Sequence, residues 1–303
     1  MPETPTPEEG LIGLSDALEA AVARAAESIV CVEARRRHGA SGIVWGPDAV
    51  VTAAHVIEHT DDVQVYLPDG TQVGGELVGL DAGTDVAVLR ADVQGAPRPE
   101  FIDAPGLGAL ALTVGRASAE SLGASLGIIS GVGGRWQTRT GASVSAYLRT
   151  DARMLPGFSG GPLVGASGGV FGMNTSLLAR DGGFTIPAAA LTPIVDSLLE
   201  HGRLRRAFLG VATQPIRLAQ AGAPSDLTQE RGLLITGVDS DGAAAAGGAL
   251  LGDVILGLGE DSVEETSDLL NTLGPERIGA DVSLRVLRAG AVHALKVVPG
   301  ERE

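Results

Sequence analysis

The spacing of apolar residues changes character several times along this chain. From Leu14 to Glu27, Leu14, Leu18, Val22 and Ala25 fall near one face at helical period, and Ser15 is placed to cap the first turn, so a short helix is predicted. The residues ahead of it, MPETPTPEEG, are acidic and proline-rich, and residues 1–13 are expected to be a disordered N-terminal segment. From Ser28 to Arg90 the pattern shortens to six β-rich runs, SIVCVEA, SGIVW, AVVTAA, DVQVYL, GGELVGL and DVAVLR, punctuated by turn signals such as GPDA and LPDG. Six short strands at this spacing suit one small closed barrel. Gln94 to Gly108, rich in Pro, Gly and Ala, reads as a connection over the surface, and six more runs follow: ALTVG, SLGIISGV, SVSAYLRT, GPLV, GVFGMNT and GFTIP. A second barrel is therefore expected.

Helical period returns at Ala188 to His201, with Leu191, Ile194, Val195 and Leu198 on one face and Gly202 as a stop. The charged run HGRLRRA then reads as a hinge. Beyond it, FLGVATQ, GLLITGV, GDVILGL, DVSLRVL and HALKVVP are strand-like, with helical stretches at Ala243 to Ala246 and Glu264 to Leu273, which fits a small α+β domain over residues 205–303. The fold class expected is mainly β: a double β-barrel over residues 14–201, followed by the α+β domain.

Composition narrows the possibilities. At 303 residues with 44% hydrophobic content and 44 glycines, the chain is long enough for two or three folded, turn-rich domains. A net charge of −15, spread along the sequence, argues against a nucleic-acid or anionic-membrane partner. The single cysteine, Cys31, excludes an intramolecular disulfide framework, and its apolar context IVCV marks a buried thiol. No window approaches the ~20 uninterrupted apolar residues of a membrane span. The N-terminal residues carry neither a basic region nor an apolar signal core, so the sequence as written is expected to be cytoplasmic, or extracytoplasmic if a leader was removed.

The chemistry centres on GFSGGP, Gly157 to Pro162. Glycines around a lone hydroxyl permit tight turns and close approach to a substrate carbonyl, which makes Ser159 a candidate nucleophile. A serine needs a base and the base needs an orienting carboxylate; His55 in VVTAAHV and Asp85 in GTDVAVLR are the candidates. Alone, His55 reads as an ordinary core or surface histidine, and its weight comes from its partners. The backbone amides of Gly157 and Ser159 would hold the developing oxyanion. The other histidines, His38, His59, His201 and His293, lack ligand spacing, so no metal and no cofactor is expected. GLGALA at Gly106 lacks the strand and phosphate context of a dinucleotide site and reads as a turn.

TAAH, TDVAVL and GFSGGPLV, in that order, resemble the chymotrypsin-like serine proteases, and TDARMLPGFSGGPLVGASGGVFGMNT resembles their HtrA/Deg branch. FTIP at Phe184 to Pro187 and RAFLGV at Arg206 to Val211 resemble that branch's passage from protease to PDZ domain. The resemblance implies a serine endopeptidase that cleaves unfolded or damaged proteins. It also implies a PDZ domain that binds peptide C-termini through Phe208, Leu209, Gly210 and Val211. The alternative is a non-catalytic scaffold or holdase retaining the fold. A homotrimer rests on the resemblance alone, because the N-terminal aromatics that build the family's trimers are absent before Trp45. Two positions depart from the pattern. Phe158 stands where the branch usually has asparagine and digestive proteases have an aspartate that pairs with a newly cut N-terminus, so the loop Arg153 to Phe158 must be ordered by packing or by neighbouring loops. Arg153 stands where trypsin-like enzymes carry an acidic specificity residue. It is expected either to pair with Asp151 or to lie in solvent, leaving a pocket near Thr175 and Ile186 for small or medium aliphatic side chains.

Overall fold

The computed structural model describes residues 6–36, 38–137, 143–178, 183–221, 224 and 227–301. The chain divides into two compact units, Met1–Leu204 and Arg205–Glu303. The first opens with helix α1, Pro7–Ala26. Sequence periodicity placed this start at Leu14, within a segment otherwise expected to be disordered through residue 13. The structure corrects that, because Thr6 caps the helix, Glu9 completes a capping box and Pro7 occupies the first turn. Capping satisfies amides that a periodicity count does not see. The C-terminal half of α1 buries Ala21 and Ala25 beside Leu112, Val114 and Val164.

Six strands follow: β1 Ile29–Glu33, β2 Ala40–Gly46, β3 Ala49–Ala53, β4 Val63–Tyr66, β5 Gln72–Asp81 and β6 Val86–Arg90. They close into a barrel in the order β1-β2-β3-β6-β5-β4. The second group is β7 Leu110–Gly115, β8 Gly123–Gly133, the short hairpin β9 Trp136–Gln137 and β10 Ser143–Val144, then β11 Tyr147–Thr150, β12 Pro162–Gly165, β13 Val170–Thr175 and β14 Gly183–Pro187. A second closed barrel runs β11-β14-β13-β12-β7-β8. Helix α2, Ala188–His201, ends on Gly202 in the left-handed region. Its Leu191, Ile194, Val195 and Leu198 join Ile43, Val51, Val86 and Val88 of one barrel and Met173, Phe184 and Ile186 of the other in one core. That shared core is what keeps the two barrels in register.

The second unit contains β15 Ala207–Phe208, β16 Val211–Arg217, β17 Arg231–Val238, helix α3 Ala243–Ala246, β18 Val254–Leu258, β19 Asp261–Ser262, helix α4 Thr266–Thr272, β20 Val282–Arg288, β21 Ala291–Val297 and β22 Gly300–Glu301. The main sheet runs β16-β17-β18-β20-β21, with β19 on β18, and β15 pairs with β22. Leu233, Ile235, Ile255, Leu258, Leu284 and Val286 form its own core. No helix among the described residues is long and apolar enough to cross a membrane.

Candidate active site

Strand pairing brings the first two candidate residues together. β3 and β6 are neighbours, and Ala53 at the end of one faces Val86 at the start of the other. His55 lies in the short 3₁₀ turn Ala54–Val56 just past β3, and Asp85 lies just before β6, so the ladder itself makes them adjacent. The Ala54 amide donates to the Asp85 carbonyl at 3.1 Å. Asp85 takes φ 60, a left-handed conformation that aspartate tolerates better than most residues. Its carboxylate is completely buried and accepts from the His55 amide (2.8 Å, Oδ1) and from His55 Nδ1 (2.8 Å, Oδ2). Thr175 Oγ1, at the end of β13, donates a very short bond to the same Oδ2. A buried carboxylate requires such donors. As Asp85 only accepts, His55 Nδ1 carries the proton and Nε2 is left as a base.

Ser159 sits in the turn ahead of β12, 7% exposed. Leu155, Pro156, Gly157 and Phe158 form a β-turn closed by Phe158 N donating to Leu155 O at 3.0 Å. With proline second and Gly157 third at φ 89, the turn is type II. Around it the backbone is stitched down: Ser41 Oγ donates to Gly157 O (2.6 Å), Ser41 N to Ser159 O (3.2 Å), Gly160 N to Asn174 O (2.8 Å) and Gly161 N to Phe158 O (3.0 Å). From Gly157 to Gly161, the amides of Phe158, Gly160 and Gly161 are thus engaged. Those of Gly157 and Ser159 have no partner among the described residues. The Ser159 hydroxyl shares a hydrogen bond with Ser176 Oγ at 2.9 Å rather than with His55.

His55, Gly157, Ser159 and Ser176 line one cleft of about 560 Å³. Its remaining wall is apolar at Met154, Leu155 and Pro156 and polar or charged at Arg35, Arg36, His38 and Glu58. None of the three residues expected at a specificity pocket borders it. Thr175 is fully buried with its hydroxyl on Asp85, and Ile186 is fully buried in the core beside Phe184 and Met173. Arg153 is exposed, and the neighbouring Asp151 accepts from the Ile128 amide, which accords with the solvent placement of the arginine. Thr175 is held inward by Asp85, and Ile186 by the apolar core around Phe184 and Met173. The apolar wall comes instead from Met154 and Leu155, just before the nucleophile. Cys31 is buried, and burial pushes its thiol up to about 12, which makes it unreactive.

In the second unit, Leu209 is 1% exposed and Gly210 takes φ 76. Their carbonyls accept from Ala244 N and Asp239 N, both at 2.8 Å. The amides of Leu209 and Gly210 have no partner among the described residues. Phe208 ends β15 and Val211 begins β16, the edge of the sheet, against which α4 packs.

Comparison with known proteins agrees with both units. A trypsin-like peptidase domain matches residues 40–173 and a PDZ domain matches residues 207–298. A protein of Halomonas elongata named a probable periplasmic serine endoprotease DegP-like is 34% identical over 276 residues, covering 89% of this chain and 57% of that one. The putative serine protease HhoB of Synechocystis is 31% identical over 281 residues, covering 88% of this chain and 67% of that one. This chain spans little more than half the length of the DegP-like relatives, at 57% and 55%. Among solved structures, the HtrA-type protease AlgW with decapeptide superimposes with a TM-score of 0.80 at 28% identity, covering 94% of this chain and 99% of that one. A serine endoprotease from Yersinia pestis superimposes at 0.77 and 28% identity, covering 99% and 100%. Two six-stranded barrels with an aspartate–histidine pair and a GFSGGP turn, joined to a PDZ-like sheet and matched along nearly the whole chain, establish that this chain belongs to the HtrA/Deg family of trypsin-like serine proteases.

Proposed function

We propose that the chain is a serine endopeptidase acting on unfolded or damaged proteins, with residues 14–201 as the protease domain and 205–303 as the peptide-binding domain. One observation carries the reading: His55, paired with the buried, triply held Asp85, shares a cleft with a serine whose own amide and that of Gly157 have no partner among the described residues. In the reaction the Ser159 hydroxyl leaves Ser176, gives its proton to His55 Nε2 and attacks the peptide carbonyl. The two free amides receive the oxyanion, His55 protonates the leaving amine, and water activated by His55 releases the acyl group. Asp85 keeps the imidazole in the required tautomer throughout. The apolar wall of Met154 and Leu155 supports small or medium aliphatic side chains before the scissile bond. At the second unit the amides of Leu209 and Gly210, without a partner among the described residues and beside an open sheet edge, support capture of a peptide's C-terminal carboxylate. The periplasmic location printed for the DegP-like relatives supports an extracytoplasmic compartment. A non-catalytic scaffold would need a disordered oxyanion segment, and the formed turn at Leu155–Phe158 favours the enzyme instead.

Casein turnover and labelling by a fluorophosphonate test this. Ser159→Ala is expected to lose both, with turnover falling by about 10⁶. Equal casein cleavage by mutant and parent removes the nucleophile assignment.

A further inference from the structure

The peptide Pro156–Gly157 has two low-energy orientations. In a type II turn Gly157 is left-handed; in a type I turn the peptide is rotated by about half a turn, exchanging the direction of the Gly157 N–H for that of the Pro156 carbonyl. An oxyanion segment is useful only in the orientation that presents the N–H, so something must fix it. The N-terminal ion pair of digestive proteases is not available to a phenylalanine. We propose that Phe158 is the positioning residue, a hydrophobic anchor that locks this turn from below, and this rests on the protease reading above.

Three observations carry it. Phe158 is 3% exposed, although its neighbours in the turn line an open cleft. Its ring occupies a socket made of two glycines, Gly115 and Gly123, which are cross-strand partners on β7 and β8. A Cβ built on Gly115 would lie 2.5 Å from Phe158 Cδ1, and one on Gly123 would lie 3.0 Å from Cζ. A side chain at Gly115 would take the ring's place, and one at Gly123 would press against its tip. The anchor is then coupled to the turn by adjacency and by the Ser41 clamp. Ser41 Oγ accepts from Arg116 N at 2.8 Å, the residue after Gly115, while donating to Gly157 O. One serine thereby ties the socket to the carbonyl side of the turn. With the ring seated, the Phe158 amide donates to Leu155 O, and Gly157 keeps φ 89.

Two measurements on the full chain test the proposal. Phe158→Ala empties the socket, whereas Phe158→Met refills most of it with an apolar chain. With a peptide substrate, Phe158→Ala is expected to lower kcat by about tenfold to a hundredfold with KM changed less than threefold, since the lost groups act on the developing oxyanion, and Phe158→Met to recover most of the loss. In parallel, hydrogen exchange on the Ser159→Ala background is expected to show the backbone of 155–161 exchanging faster in Phe158→Ala while β1 to β6 stay unchanged. Unaltered kcat in Phe158→Ala, or a loss confined to KM, overturns the anchor. So does unaltered exchange at 155–161, whatever the activity. A parent that fails to react with fluorophosphonate at Ser159 instead overturns the protease reading and leaves the exchange measurement to decide the anchor on its own.

Discussion

Thr175 illustrates how one hydroxyl sets the chemistry of a site it does not line. It closes the donor set around Asp85, so replacing it with valine leaves a buried carboxylate oxygen short of a partner. Losing one hydrogen bond to a carboxylate costs about 1.5–3 kcal/mol. Thr175→Val is therefore expected to lower kcat/KM by about tenfold or more, with Thr175→Ser close to the parent; steady-state kinetics on one peptide substrate checks it, and a valine variant as active as the parent removes the role. At this scale the candidates Ser159, His55 and Asp85 were legible because short motifs mark them. The partners were not. Thr175 and Asp85 are 90 residues apart, and nothing local says whether the last residue of a strand turns its hydroxyl to the cleft or to the interior. The same blindness hid the Phe158 socket, since Gly115 read only as the end of the run ALTVG and Gly123 fell outside the strand runs. Ser176 gave no signal either, since its meaning lies only in its distance from Ser159.

Elements were read better where periodicity was strong and worse at their ends. Both sets of six strands emerged from β-rich runs bounded by turn residues, whereas α1 was cut short because its N-terminal turns bury little and are held by the Thr6–Glu9 box. Edge strand β16 carries a further consequence. An added peptide strand meets every second residue, so from Val211 it reaches Thr213 and then Pro215, which has no N–H to offer. Proline in a strand keeps its missing donor toward an open edge. Ligands are expected to gain affinity up to about four residues from the free C-terminus and little from alanine extensions beyond. Calorimetry on the Ser159→Ala chain with peptides of three to eight residues checks this, and Pro215→Ala should let the longer ones gain. Steady improvement with length in the unsubstituted strand removes the idea.

At the scale of the whole molecule, the two units carry separate cores and separate vulnerabilities. Asp253, 2% exposed, receives Arg288 Nε at 2.7 Å and Arg288 Nη2 at 2.6 Å, with the Leu250 amide at 2.8 Å. Burial alone would raise this carboxyl, but the Arg288 fork, the amide and the charge outweigh it, and its pKa is lowered. A lowered folded value means the stabilisation is present above the ordinary carboxylate range, about pH 4, and fades as pH falls below it. Asp253→Asn is expected to cost the second unit about 1–2 kcal/mol at neutral pH and to flatten its acid destabilisation. Denaturation followed separately for the two units across pH 3 to 7 checks both parts; an unchanged midpoint at pH 7 removes the argument.

The division of the site between barrels also sets a timetable. His55 and Asp85 flank strands complete by residue 90, but the serine turn is held only when Ser41 of the first barrel meets Gly157 and when β14, ending at Pro187, has closed the second against β11. A chain emerging from the ribosome therefore holds His55 and Asp85 for about a hundred residues before the Ser159 turn can be set. On the proposed reading, cleavage becomes possible only when those barrels no longer offer an extended strand.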